Sequence, residues 1–198
     1  MKSRRTHLKF LSASTGALAA LLCASPAGAW QQNACGGLVD GKANCPADGE
    51  NYGQGIRYDA SGDIAVELGD GLALAPEAGH AGIIVISDVD TNGAVTIDGA
   101  DASIVTRDAI GAVVEAEGDV LIDLASVSTE AVTPGEIAAG ILAVSTFGST
   151  TINVDSVQTS GDYSTGIIVQ NGSEGAVRID AGSIATKGFA ADGIAVVS

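Results

Sequence analysis

From about residue 61 to residue 198 the chain repeats three short signatures in fixed order, and this restricts the fold more than any other feature. The first is an alternating apolar pair closed by an acid: Val95-Thr96-Ile97-Asp98, Val120-Leu121-Ile122-Asp123, Ile152-Asn153-Val154-Asp155 and Val177-Arg178-Ile179-Asp180, with Ile64-Ala65-Val66-Glu67 as a weaker copy. The second is S-[V/I]-x-T, running Ser103 to Thr106, Ser126 to Thr129, Ser156 to Thr159 and Ser183 to Thr186. The third is a glycine followed by small or branched residues, at Gly82, Gly111, Gly140, Gly166 and Gly193, stepping by 29, 29, 26 and 27 residues. No helical periodicity interrupts the series.

Each repeat thus holds three strand-like segments of three to five residues between Gly, Ser, Asn or Asp turns. Strands that short offer two inward side chains apiece, too few to bury a hairpin face. Stacking equivalent strands of successive repeats supplies what one repeat lacks. The expected fold is all-β: a right-handed parallel β-helix of about five coils, three short strands per coil, spaced by ~4.8 Å. An antiparallel β-sandwich is the alternative, but its strands should be longer and need not keep the three-part order.

The cycle G-x-V-x-I-D, S-[V/I]-x-T-x-G and G-I-x-V resembles the passenger region of bacterial autotransporters (type V secretion) and related adhesin-like β-helical surface proteins. It covers roughly Gly62 to Ser198. The resemblance implies export across the inner membrane, passage through an outer-membrane β-barrel translocator, and display at the cell surface of a Gram-negative bacterium. The aromatic-rich barrel strands of that family are not in this sequence. The expectation is therefore the N-terminal part of a longer product or a truncated gene, or else a subunit whose open end pairs with another chain.

The N-terminus agrees with export. Residues 1–29 carry Lys2, Arg4, Arg5 and Lys9 without an acid, then the apolar run Gly16 to Leu22, then Ala27-Gly28-Ala29. That order is a secretory signal peptide cleaved between Ala29 and Trp30, its apolar run too short to span a bilayer. Ser3-Arg4-Arg5-Thr6-His7-Leu8-Lys9 approaches the twin-arginine pattern, so the general secretory and twin-arginine routes both stay open. Leu22 stands where lipidation of Cys23 would need a small residue. Cys35 and Cys45 are then the remaining pair, and in an exported chain they point to a disulfide closing a short loop. The expected organisation is 1–29 signal peptide, 30–61 disulfide loop or cap, and 62–198 repeats.

Charge removes whole classes of partner. The chain has 9 basic and 24 acidic side chains. Without residues 1–29 it keeps 5 basic against 24 acidic, a net charge of −19. Nucleic acid and anionic lipid are repelled by such a surface. His80 is the one histidine beyond residue 29, which leaves no material for a multi-histidine metal site. It is expected as a solvated loop residue.

The most ordered polar feature is the acid after the first strand: Glu67, Asp98, Asp123, Asp155 and Asp180. In-register coils would stack these at ~4.8 Å, with about 1 kcal/mol of repulsion per pair even in water. Asp98, Asp123, Asp155 and Asp180 are the candidate calcium column, since bridged carboxylates suit a hard cation. A paired-carboxylate lyase or hydrolase is a second reading. The third has each acid bonding the backbone N–H groups of its own turn, solvated outside the coil stack. This third reading is preferred, with no metal, cofactor or catalytic residue, because the G-G-x-G-x-D calcium repeat is missing and Arg107, Arg178 and Lys187 fall on scattered coils.

The threonine series could order water if it faced outwards, but one threonine per coil at uneven intervals fits a pleated strand position better. Trp30, Tyr52, Tyr58, Phe147, Tyr163 and Phe189 are the aromatic residues beyond 29. Phe147 and Tyr163, beside longer turns, could meet a ligand or cover a coil edge. The functional expectation is a surface-displayed or secreted structural and adhesive segment, not an enzyme, with a host surface or a glycan as possible ligand. The alternative is a β-helical polysaccharide lyase or hydrolase, which needs acids and bases gathered in one groove.

Overall fold

The computed structural model describes residues 35–48, 52–87, 92–133, 135–136, 138–172 and 175–198. The expected signal peptide, with its Ala29–Trp30 cleavage point, lies outside the described residues. Strands β1 (Lys42–Cys45), β2 (Ile56–Ala60), β3 (Ile64–Leu68), β4 (Ala73–Leu74) and β5 (Ile83–Ser87) are short. Long and short strands then alternate: β6 (Val95–Arg107), β7 (Ala112–Ala116), β8 (Val120–Glu130), β9 (Ala139–Ser145), β10 (Thr150–Ser160), β11 (Thr165–Asn171), β12 (Val177–Lys187) and β13 (Asp192–Val197). Among the described residues the helical content is one turn, Tyr52–Gln54, and no helix is long and apolar enough to cross a membrane.

Every ladder between these strands is parallel. One sheet runs β1-β3-β6-β8-β10-β12, with β4 beside β6; the other runs β13-β11-β9-β7-β5-β2. The result is a β-solenoid of about five coils. Parallel pairing of equivalent segments removes the antiparallel sandwich. The first two signatures run together as one bent strand of 11 residues in β8, β10 and β12, so each coil contributes two strands rather than three separate ones. In β6 two extra residues are taken up between Gly99 and Ser103, where the register shifts. The stack also begins before residue 62. Lys42 pairs with Ala65 and Ile56 with Ile83, so part of the expected cap region is coil.

Alternation decides which side chains go inside. Val66, Ile97, Ile122 and Ile152 form one inner column, Leu74, Ile104, Val127 and Val157 another, all buried. From the opposite sheet come Ile56, Ile83, Ala112, Ile141 and Ile167, and beside them Tyr58, Val85, Val114, Ala143 and Val169. Each large aliphatic side chain so buried contributes roughly 1.5–3 kcal/mol. Ile194 and Val196 continue these columns in β13 but are 48% and 49% exposed.

The third signature owes its glycine to this packing. A Cβ on Gly111 would lie 2.6 Å from the Gly140 carbonyl oxygen and collide with Val127, and one on Gly140 would collide with Gly166 and Val157. Coil backbones meet at this column while a side chain from the facing sheet packs over it. Only hydrogen fits there.

Candidate functional site

Three groups of polar or aromatic residues are available: the outward acids of the long sheet, the turns at its two ends, and an aromatic corner.

The outward acids do form a column, with one correction. The register is Glu67, Asp98, Asp123, Asn153, Asp180. Asp155 is not in it: Ile152 pairs with Ile122, which places Asn153 beside Asp123 and leaves Asp155 exposed at the strand bend. Side chains alternate with period two, so a two-residue slip keeps every residue on its face and the apolar pattern cannot detect it. Asn153 breaks the run of charges, and the Arg178 Nη2 to Asp180 Oδ2 contact of 3.5 Å moderates its last member. Among the described residues no three His, Cys, Asp or Glu side chains gather as a metal set. Arg57 and Arg107 likewise lie beside acids, Asp59 at 3.4 Å and Glu130 at 3.8 Å.

The turns hold other acids, which reach across coils rather than within their own turn. Asp63 Oδ1 accepts from the Ala94 N–H at 2.9 Å, Asp119 Oδ1 from the Ser149 N–H at 2.7 Å, and Ser149 Oγ from the Ala176 N–H at 3.2 Å. Inside the same turns Ser87, Ser145 and Asn171 each donate to the carbonyl of a turn glycine one coil earlier, Gly62, Gly118 and Gly148. The hydroxyl of buried Thr150 donates to Asn171 Oδ1 at 2.8 Å. At the other end of the long strands Asp108 takes three bonds from the next coil, from the N–H groups of Val132 and Thr133 and the Thr133 hydroxyl. Those bonds, the Thr133 N–H first, hold its carboxyl below the usual aspartate range. The signal for these staples was present in the sequence, as Asp or Ser recurring just before the first strand at the coil spacing.

The threonine series is in register from Thr106 through Thr129 and Thr159 to Thr186, and its first three members are buried. An outward water-ordering face is thereby removed. Thr106 donates to the Ala109 carbonyl, whereas the buried Thr129 and Thr159 hydroxyls have no partner. His80 is half-buried, not freely solvated, and its Nδ1 is enclosed without a hydrogen-bond partner.

Cys35 and Cys45 are joined as a disulfide at the N-terminal end of the stack, with Cys45 fully buried. Tyr52 and Tyr58 pack there too, their hydroxyls donating to the carbonyls of Pro46 and Gly36. Burial, with Tyr52 adding to it, pushes the Tyr58 phenol up to about 12; burial and Asp48 raise Tyr52.

The aromatic corner joins two coils. Tyr163, in the turn between β10 and β11, and Phe189, between β12 and β13, meet edge to face with ring centroids 5.8 Å apart. They are 60% and 70% exposed. Phe147, the other aromatic residue beside a longer turn, sits in a different turn, between β9 and β10. The coil period of 26–27 residues was the clue that Tyr163 and Phe189 would stack.

Comparison with protein-family models, with curated proteins and with solved structures returns no match.

Proposed function

We propose that this chain is a segment of an exported β-solenoid, displayed on the surface of a Gram-negative bacterium or secreted from it, with a structural and adhesive role and no catalytic site or bound cofactor of its own. The observation that carries this reading is the use made of the ordered polar groups. Ser87, Ser145, Asn171, Asp63, Asp108 and Asp119 each make a bond that joins one coil to another. A ladder of that kind suits a stalk that assembles coil by coil as it emerges from a membrane. The acidic exterior suits a chain that must stay soluble while unfolded. The repeat cycle adds the autotransporter passenger as the specific family, with an outer-membrane barrel as translocator.

The test is expression of the natural gene, tagged within the longer turn after β8, in its Gram-negative host. Removal of residues 1–29 and loss of the tag when intact cells meet an external protease are expected. A tag protected from protease on a chain that still starts at Met1 would overturn the proposal. Neutral and acidic polysaccharides incubated with the protein should show no new reducing or unsaturated ends. Turnover abolished by Asp123→Ala would favour the lyase or hydrolase instead.

A further inference from the structure

Five aromatic residues are among those described, and they divide sharply. Tyr52 and Tyr58 are buried at the N-terminal end, whereas Phe147, Tyr163 and Phe189 stand exposed in turns. Tyr163 and Phe189 also touch each other, which brings two exposed rings to one corner. Leaving such rings in water forgoes the stabilisation that their burial would supply. Tyr163 has a φ of 60°, the left-handed region where glycine, asparagine or aspartate is usual, and the equivalent Ala190 of the next coil repeats this turn at 51°. The turn belongs to the coil, and what sets this corner apart is two exposed rings in contact, an apolar patch of the kind binding sites use.

The corner is also held in place. The Tyr163 N–H donates to the Phe189 carbonyl at 2.8 Å, and the Phe189 N–H donates to Asp162 Oδ1 at 2.8 Å. Both backbones are therefore tied across the coil boundary before any ligand arrives, which lowers the ordering cost of binding. The carboxylate of Asp162 retains further acceptor positions after taking one bond.

Size and charge select the occupant. Two partly exposed rings offer on the order of 200–300 Å², well short of the ~800 Å² per partner of a stable protein interface. That area fits one or two sugar rings. The electron-rich ring faces attract the C–H face of a pyranose, and a carboxylate beside them accepts from hydroxyl groups. An acidic glycan would meet the repulsion of a chain with net charge −15. We propose that Tyr163 and Phe189 form a stacking platform for uncharged sugar rings, with Asp162 at its edge as a hydroxyl acceptor. This deepens the adhesive reading above by naming a ligand class and the residues that take it.

The experiment is native gel electrophoresis of the full chain through gels containing hydroxyethylcellulose, galactomannan or dextran, with alginate as the acidic comparison. Tyr163→Asn removes the ring and suits the left-handed backbone, so it should melt no lower than the parent. Phe189→Ser removes the second ring, and Phe147→Ala removes an exposed aromatic from another turn. Retardation by at least one neutral polysaccharide is expected, with dissociation constants of about 1 mM typical of a small site. Each platform variant should weaken it about fivefold or more. Phe147→Ala should match the parent, and Tyr163→Phe should keep binding. Absence of retardation in all three neutral gels, retention in the Tyr163→Asn/Phe189→Ser double variant, or equal retardation by alginate would each overturn the platform. Protease accessibility on intact cells reports the display reading separately, so a displayed protein that ignores neutral glycans would overturn the platform alone.

Discussion

The hydroxyl of Ser145, buried at the end of β9, donates to the carbonyl of Gly118 one coil earlier at 2.8 Å. Ser87 makes the same bond to Gly62, and Asn171 makes it with its amide to Gly148. These side chains occupy one inner corner, where turn carbonyls point inwards and water does not reach. Ser145→Ala would leave the Gly118 carbonyl without this donor, a loss of about 1–3 kcal/mol. Thermal unfolding should fall by about 2–4 °C per kcal/mol in a chain of this size. Ser128→Ala, at a half-buried outward position, should change stability by about 0.5 kcal/mol or less. Equal melting of the two variants would show that the corner bond contributes nothing.

Gly140→Ala should be among the most damaging small substitutions. The added methyl collides with the Gly166 carbonyl and Val157, and neither the stacked backbone nor the core column can retreat. The expected cost is about 3 kcal/mol, at the upper end for overpacking. Gly37→Ala has open space around it and should be neutral within about 0.5 kcal/mol. Chemical denaturation of both variants measures the difference.

Asn153→Asp would close the gap between Asp123 and Asp180 in the outward column. Each new carboxylate contact costs about 1 kcal/mol in water. With two such contacts the variant should melt about 4–8 °C lower at pH 7 and low salt, and the difference should narrow in molar salt as screening shortens the interaction. Millimolar calcium should shift the parent by less than about 2 °C, since a cation bound only to the folded state would raise the melting point with concentration. A large calcium shift in the parent would establish a metal site on this face.

Glu115 and Asp108 should respond to pH in opposite senses. Glu115 lies on the outer face of the short sheet, between Ile86 and Val144, and its desolvation raises its pKa above the ordinary 4.5, with Arg57 opposing and Asp59 adding. A raised folded value means stability held below about the ordinary glutamate range and lost as pH climbs through the folded value. Glu115→Gln should therefore melt higher than the parent at pH 7, with the advantage gone near pH 4. Asp108 has the lowered value, so its stability is present above the ordinary aspartate range and disappears as pH falls through the folded one. Asp108→Asn should melt lower at pH 7 and lose less on acidification. Melting curves from pH 3 to 8 for both variants settle the signs.

The division between what was legible and what was not follows from periodicity. The glycine column and the S-[V/I]-x-T series stack in the register their spacing implied, because each signature has a distinct composition that fixes its phase. Asp155 was misplaced because Ile152-Asn153-Val154-Asp155 and Thr150-Thr151-Ile152-Asn153 satisfy the same alternation two residues apart. The core chooses the second, since Ile152 and Val154 then fall beside Ile122 and Leu124. The fusion of two signatures into one bent strand was equally invisible, because composition marks turns better than it marks a bend within a ladder.

By itself the sequence pointed to a protein built from stacked coils, because apolar alternation of period two, repeated every 26–29 residues in segments this short, is buried most readily by stacking; the parallel ladders of the structure then removed the sandwich. It also placed glycine where coil backbones meet. The tertiary structure alone decided which polar groups meet across coils. Whether Asp123 faces Asn153 or Asp155, whether Ser145 reaches Gly118, and whether Tyr163 touches Phe189 depend on register, turn conformation and offsets of a few ångströms between neighbouring coils. Those distances are set by the packing of the whole stack, which no single repeat contains.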